Sequence, residues 1–131
     1  MPEVRFTFPK RFWLRRQTDI QHVYQEGHYQ SLGLLSVKYR ATEMGYSRFL
    51  ITVKKRVGPA SYRNRLKRLL REAIRLQRPG FEESYDICFF ISQPPHYPVR
   101  FPYLHQRVQQ LFADLGRKTK DSLAEIPFTH A

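Results

Sequence analysis

Lys54-Lys55-Arg56-Val57-Gly58-Pro59-Ala60-Ser61-Tyr62-Arg63-Asn64-Arg65-Leu66-Lys67-Arg68-Leu69-Leu70-Arg71-Glu72-Ala73-Ile74-Arg75-Leu76 runs from a basic strand end, through Gly58-Pro59, into a basic amphipathic helix. At 3.6 residues per turn, Leu66, Leu69, Leu70, Ala73 and Ile74 fall on one face, while Arg63, Asn64, Arg65, Lys67, Arg68, Arg71 and Arg75 sweep the other. The apolar face docks on a core and the basic face is presented. Proline is tolerated in a first helical turn and Pro79-Gly80 closes the segment, so a helix is predicted over residues 59–77. One acid, Glu72, stands among these bases, and like charges this close repel unless a polyanion screens them.

The rest of the chain is arranged around that helix. Residues 32–39 and 47–53 are rich in apolar and β-forming types, are separated by a polar stretch containing Gly45, and read as an antiparallel pair. In the second of them Phe49, Ile51 and Val53 share one face and Arg48, Leu50 and Thr52 the other, which leaves a face for binding. Residues 85–91 form a continuous apolar strand after the basic helix, and a strand-helix-strand unit implies a parallel pair. Upstream, Thr18 offers an N-cap, Asp19 suits a first turn, Ile20, Val23 and Tyr24 follow helical spacing, and Gly27 ends a short helix. Leu104, Val108, Leu111, Phe112 and Leu115 mark a last amphipathic helix expected to end by Gly116. Residues 1–16 read as a basic, aromatic, extended arm and residues 117–131 as a mobile tail that begins with Arg117, Lys118 and Lys120. The order is helix, two or three strands, basic helix, strand, helix: a small α+β sandwich, one domain over residues 1–131.

Composition narrows the function. A chain of 131 residues that is 41% hydrophobic can bury one real core. Its 23 Lys and Arg against 11 Asp and Glu give a net charge of +12, which favours a phosphate backbone as partner. No apolar run is long enough to span a bilayer and the first residues lack a secretory apolar core, pointing to a cytoplasmic protein without membrane association. Cys88 is the single cysteine, so an internal disulfide and a cysteine zinc cluster are both excluded; inside an apolar strand it reads as an inert core thiol. The five histidines are dispersed and Asp19, Asp86 and Asp114 show no pairing pattern, so no catalytic residue and no metal ligand set is expected in the protein. Asn64, between two arginines, can donate and accept at once and suits a phosphate, a 2′-hydroxyl or a base edge. Phe12, Trp13, Tyr24, Tyr29 and Tyr39 are candidates for stacking on unpaired bases, although core packing is the commoner fate of such rings.

Arg63-Asn64-Arg65, followed by Lys67-Arg68 and Arg71-Glu72 and preceded by Lys55-Arg56, resembles the signature of the protein subunit of bacterial ribonuclease P. The similarity extends over roughly residues 11–115: a basic arm with Leu14, a short helix with Asp19, Val23 and Tyr24 ending in Gly27, two strands, the signature, a strand beginning Tyr85-Asp86, and a last amphipathic helix. The resemblance implies an α/β sandwich with a left-handed crossover through the basic helix, against the usual rule. It implies an accessory subunit of a ribonucleoprotein endoribonuclease whose RNA is catalytic and whose magnesium ions belong to that RNA. The partners implied are the catalytic RNA and precursor tRNA, whose 5′ leader is removed, with no obligatory protein partner. Lys54, Lys55, Arg56, Arg63, Asn64, Arg65, Lys67, Arg68 and Arg71 would then face the catalytic RNA, and Tyr24, Tyr39 and Lys38 would line the groove for the leader. Three departures stand out: Ile20 where many relatives have Phe, an extra base in Lys54-Lys55-Arg56, and the uncharged Ser92-Gln93-Pro94-Pro95 where relatives often carry Arg or Lys.

The alternative is a ribosomal or other structural RNA-binding protein without a processing role. A helix-turn-helix DNA binder is disfavoured because a strand, not a short helix, precedes the basic helix. A protein-only nuclease would need a carboxylate or histidine cluster that the sequence does not display.

Overall fold

Strand β4, Tyr85–Ile91, is buried at every position and lies inside the sheet, as a strand apolar on both faces must. The structure, a computed structural model, describes residues 9–124. Around β4 the elements run in the order α1 (Gln17–Glu26), β1 (His28–Leu32), β2 (Leu35–Ala41), β3 (Arg48–Val53), α2 (Ala60–Gln77), β4 and α3 (Phe101–Ala124). Short 3-10 turns at Lys10–Phe12, Lys55–Val57 and Arg78–Gly80 connect them. The sheet order is β1-β2-β4-β3, with the β1–β2 and β2–β4 pairs antiparallel and the β4–β3 pair parallel. This is the expected α+β sandwich with its parallel pair either side of the basic helix.

Four expectations are corrected. The segments read as an antiparallel pair, now β2 and β3, do not touch as a hairpin, because β4 inserts between them. The hairpin lies earlier, between β1 and β2, and turns at Gly33 with φ of 66°. A Cβ there would meet the Tyr103 hydroxyl at 2.3 Å, so both the turn and the approach of α3 require glycine. Thr18 does not cap α1: Arg16 occupies that position without a side-chain hydrogen bond, and Asp19 turns to Arg48 instead. The last helix runs through Gly116 to Ala124, so Arg117, Lys118 and Lys120 belong to it and not to a tail. One interior glycine costs about 1 kcal/mol, and contacts on both sides hold the turn: Leu111, Phe112 and Leu115 are buried before it, and the Thr119 hydroxyl meets that of Tyr85 at 3.1 Å after it. The expected tail at 125–131 and the arm at 1–8 lie outside the described residues. Finally, residues 10–14 of the arm are docked: Phe12 and Leu14 are buried, and the Leu14 amide donates to the Phe49 carbonyl at 2.8 Å along the β3 edge.

Strand alternation sorts the interior into two unequal layers. On one face Val37, Tyr39, Phe49, Val53, Ile87, Phe89 and Ile91 meet Leu66, Leu70, Ala73 and Ile74 of α2 and Leu104, Val108, Leu111 and Leu115 of α3. On the other, α1 covers only a small cluster of Leu14, Val23, Cys88 and Phe90, with Ile20 and Leu50 half-buried against it. Gly27 lets the end of α1 close down on β2, since a Cβ there would lie 2.9 Å from the Tyr39 carbonyl.

Candidate nucleic-acid interface

The periodicity of α2 fixes what it presents. With Leu66, Leu70, Ala73 and Ile74 buried, Asn64, Arg65, Arg68 and Arg71 are exposed and Arg63 and Lys67 half-buried on the outer side. Glu72, the acid among them, is held by Arg75 within the same helix, which keeps the Glu72 carboxyl below the ordinary glutamate range. Among the described residues none of Lys54, Lys55, Arg56, Arg63, Arg65, Lys67, Arg68 and Arg71 is paired with a carboxylate. The cations are nevertheless positioned. The Arg63 Nε donates to the Gly58 carbonyl at 3.0 Å, which carries its guanidinium back over the start of α2 toward the Lys55–Val57 turn. In that turn Val57 is buried as an anchor, while Lys54, Lys55 and Arg56 stay exposed. Arg56 Nε donates to the Ser92 carbonyl at 2.6 Å, and Arg65 Nη1 lies 3.5 Å from the Val99 carbonyl. The uncharged segment after β4 thus contributes backbone acceptors that orient cations of the strand end and helix.

A second group sits on the α1 face. Tyr24 is 37% exposed; its ring meets Phe90 at 5.5 Å and Lys38 Nζ stands 5.7 Å from the ring centre. Lys38 Nζ also donates to the Tyr24 carbonyl at 2.9 Å, which ties β2 to the end of α1. Burial pushes the Tyr24 phenol above the ordinary tyrosine range, Cys88 adds to this, and a hydrogen bond with Thr52 opposes it. The phenol therefore stays neutral and does not repel a phosphate chain.

Tyr39 does not join Tyr24 and Lys38, contrary to expectation. It is 4% exposed, on the opposite face, edge-on to Tyr85 and tilted against His28. Its place is taken by Tyr29 of β1, which stands opposite Lys38 in register, is 61% exposed, and donates from its hydroxyl to Ser36 Oγ at 3.1 Å. A hollow of about 300 Å³ is bounded by Ser36, Ser92, Pro94 and Tyr97. Thr52, hydrogen-bonded to Tyr24, stands two residues before Lys54 on β3, which sets the two groups side by side.

At the opposite end of β3 and β4 from both groups, where these strands begin, lies a polar core. Arg48 grips Asp86 through Nε to Oδ1 at 2.9 Å and Nη2 to Oδ2 at 2.8 Å, and reaches Asp19 Oδ2 through Nη1 at 3.2 Å. Asp86 is 1% exposed, so the bidentate pair satisfies a charge that burial would otherwise penalise, and the third arm locks the first turn of α1 to the sheet. The signal was present as Tyr85-Asp86 opening an apolar strand and Arg48 on the polar face of β3, but their parallel register was not readable. Cys88 is buried beside it as a free thiol, and burial pushes its pKa up to about 12. No group of three or more His, Cys, Asp or Glu side chains suited to a metal ion gathers among the described residues.

Comparison with known proteins agrees with this geometry. The family profile for Ribonuclease P matches residues 8–116. The chain is 40% identical over 87 residues to the ribonuclease P protein component of Dictyoglomus thermophilum, covering 66% of this chain and 72% of that one. With the component from Roseiflexus castenholzii it shares 32% identity over 118 residues, 90% of this chain and 96% of the relative. Among solved structures, the RNase P protein from Thermotoga maritima superposes with a TM-score of 0.66 at 28% identity, covering 76% of this chain and 94% of that one. With the profile spanning most of the chain and the same α+β sheet in its structural relative, the chain belongs to the ribonuclease P family, whose members are protein components of that endoribonuclease.

Proposed function

We propose that this chain binds the catalytic RNA of ribonuclease P through the strand end and basic face of α2, receives the single-stranded 5′ leader of precursor tRNA on the α1 face, and so promotes tRNA 5′-end maturation in the cytoplasm. The observation that carries this reading is the set of cations from Lys54 to Arg71 that, among the described residues, have no carboxylate partner and that border an open face bearing Tyr24 and Lys38. A folded domain that holds this many like charges together gains most from a partner that is itself a dense polyanion. Arg56 and Arg63, fixed by backbone carbonyls, meet that partner in set positions and lose little side-chain freedom on binding. On the α1 face the neutral Tyr24 ring and the exposed Tyr29 ring offer stacking planes, and Lys38 draws in the strand's phosphates. The chemistry of cleavage, and the magnesium it uses, belong in this reading to the RNA. The protein holds two polyanions side by side and screens their repulsion.

Reconstitution tests the proposal. Full-length protein added to a bacterial ribonuclease P RNA at low magnesium should accelerate leader removal, and Arg65→Ala or Arg68→Ala should weaken assembly by about 1 to 3 kcal/mol each. Absence of any protein effect on cleavage, with ribosomal RNA bound instead, would replace this reading by that of a structural RNA-binding protein.

A further inference from the structure

On the β3 edge of the sheet, away from the strand end that opens α2, the docked arm builds a second basic site. Lys10, Arg11, Arg15 and Arg16 line a pocket of about 550 Å³ together with Trp13, Tyr46 and Arg48. The first four are exposed and, among the described residues, none has a carboxylate partner; Arg48 is already committed to Asp86 and Asp19. Among the described residues, no Asp or Glu lines the pocket.

These cations are not carried on a loose tail. Trp13 bridges to Phe49, the Leu14 amide bonds to the Phe49 carbonyl, and the buried Phe12 ring stands edge-on to Tyr46 at 5.6 Å. The pocket is also joined to the far end of α2. Arg71 lies over the Trp13 ring at 5.5 Å and Arg78 over the Phe12 ring at 3.8 Å. Burial, and then the neighbouring Arg11 charge, holds the Arg78 guanidinium below the ordinary arginine range, a sign of how crowded with positive charge the junction is. A basic band therefore runs along the outer side of α2, across two aromatic rings of the arm, into the pocket.

We propose that this pocket is a second RNA-binding site, taking the phosphodiester backbone of the same catalytic RNA that engages α2, with Trp13 and Tyr46 as ring surfaces for ribose or base. The proposal rests on the reading of the chain as a ribonuclease P subunit. Its commitment to the catalytic RNA, over the leader, comes from the band that joins the pocket to Arg71 and Arg78. Four cations on a docked backbone around two rings suit a phosphate chain with unstacked residues.

The test uses full-length protein and catalytic RNA. The paired substitutions Lys10→Gln with Arg11→Gln, and Arg15→Gln with Arg16→Gln, change exposed side chains. Each pair should flatten the log–log salt dependence of assembly by about one per cation removed and erase one stretch of backbone protection while protections that depend on Arg65 and Arg68 remain. Unchanged slopes in both pairs, with Arg65→Ala still flattening its own, would overturn the pocket and leave the α2 reading standing. Loss confined to precursor binding, with assembly unaltered, would also overturn it and assign the pocket to the leader. Failure of the unaltered chain to assemble would bring down both. Trp13, the single tryptophan, supplies a readout that needs no variant: its emission should become protected from acrylamide when catalytic RNA is added, and unchanged quenching would count against the site.

Discussion

On the side of the sheet toward α2 and α3, Val37, Phe49, Ile87, Phe89 and Ile91 meet an unbroken apolar layer, whereas on the α1 side the same strands present Lys38, Arg48, Thr52 and Asp86 around a small cluster at Cys88 and Phe90. The two faces alternate residue by residue along β2, β3 and β4, so one stretch of sequence serves both. Folding free energy comes chiefly from the α2/α3 side. The α1 side, held by one ten-residue helix and an ion-pair network, keeps rings and charges within reach of a ligand. Helix α2 takes part in both tasks at once, because its buried stripe anchors the stable face and its outer side presents the cations from Arg63 to Arg71.

The harshest way to break this division is to place a charge on the stable side. Leu70 is fully buried at the centre of the α2 stripe, and Leu70→Asp should cost more than about 4 kcal/mol and unfold the domain. Far-ultraviolet circular dichroism decides it; a folded Leu70→Asp would mean that α2 is not the anchor. On the other face the comparable weak point is electrostatic. Asp86→Ala leaves the Arg48 guanidinium, 16% exposed, without its bidentate partner, and should cost about 3 to 5 kcal/mol. Asp19→Ala removes only the third arm, from a carboxylate that is 26% exposed, and should cost less than about 1 kcal/mol. Urea melts that rank the two in the opposite order would place the lock on α1 and not at the strand.

The parts of the fold written locally were readable in the sequence. Leu66, Leu70, Ala73 and Ile74 repeat at helical spacing, and residues 85–91 are apolar throughout, so α2 and β4 emerge with their bounds nearly right. Sheet order was not readable, because nothing near β2 or β3 says that β4 will come between them. A third strand was allowed for before α2 but β1 was not located, because His28, Tyr29, Gln30 and Ser31 are polar or exposed and only Leu32 of this edge strand is buried. The site was legible where it depends on α2 and blurred where it depends on register. Lys38 and Tyr39 are neighbours in one strand and cannot both face a groove, a signal that period-2 alternation alone supplies.

That register error becomes a measurement. Tyr39, 4% exposed against Tyr85 and His28, belongs to the stable face, and Tyr39→Ala should lower stability by about 3 kcal/mol. Tyr29, 61% exposed, should change stability by no more than about 0.5 kcal/mol when replaced by Ala. The pattern should reverse in binding: Tyr29→Ala and Tyr24→Ala weaken holoenzyme affinity for precursor by about 1 to 3 kcal/mol and leave mature tRNA nearly untouched, since only the precursor has a leader. Equal losses for precursor and product in both variants would remove the α1 face from leader recognition.

The smallest effect tests how dry the open face is beneath its rings. Cys88 lies under Tyr24 and Phe90, and burial, then the Asp86 charge, lifts its thiol to about 12, while Lys38 opposes them. In the unfolded chain the same thiol titrates near its model-compound value of 9.0. The folded state then holds its proton where the unfolded state releases it, so unfolding is favoured as pH rises from about 9 toward 12, and below 9 the group is silent. At pH 10 the loss should be about 1 kcal/mol relative to pH 7. Cys88→Ala supplies the comparison, because it keeps every other alkaline titration and removes only this one. The stability gap between wild type and Cys88→Ala, measured by urea at pH 7 and pH 10, should narrow or invert in favour of the variant at the higher pH. A gap that does not move means that solvent reaches the thiol and that the α1 face is wet to the sheet.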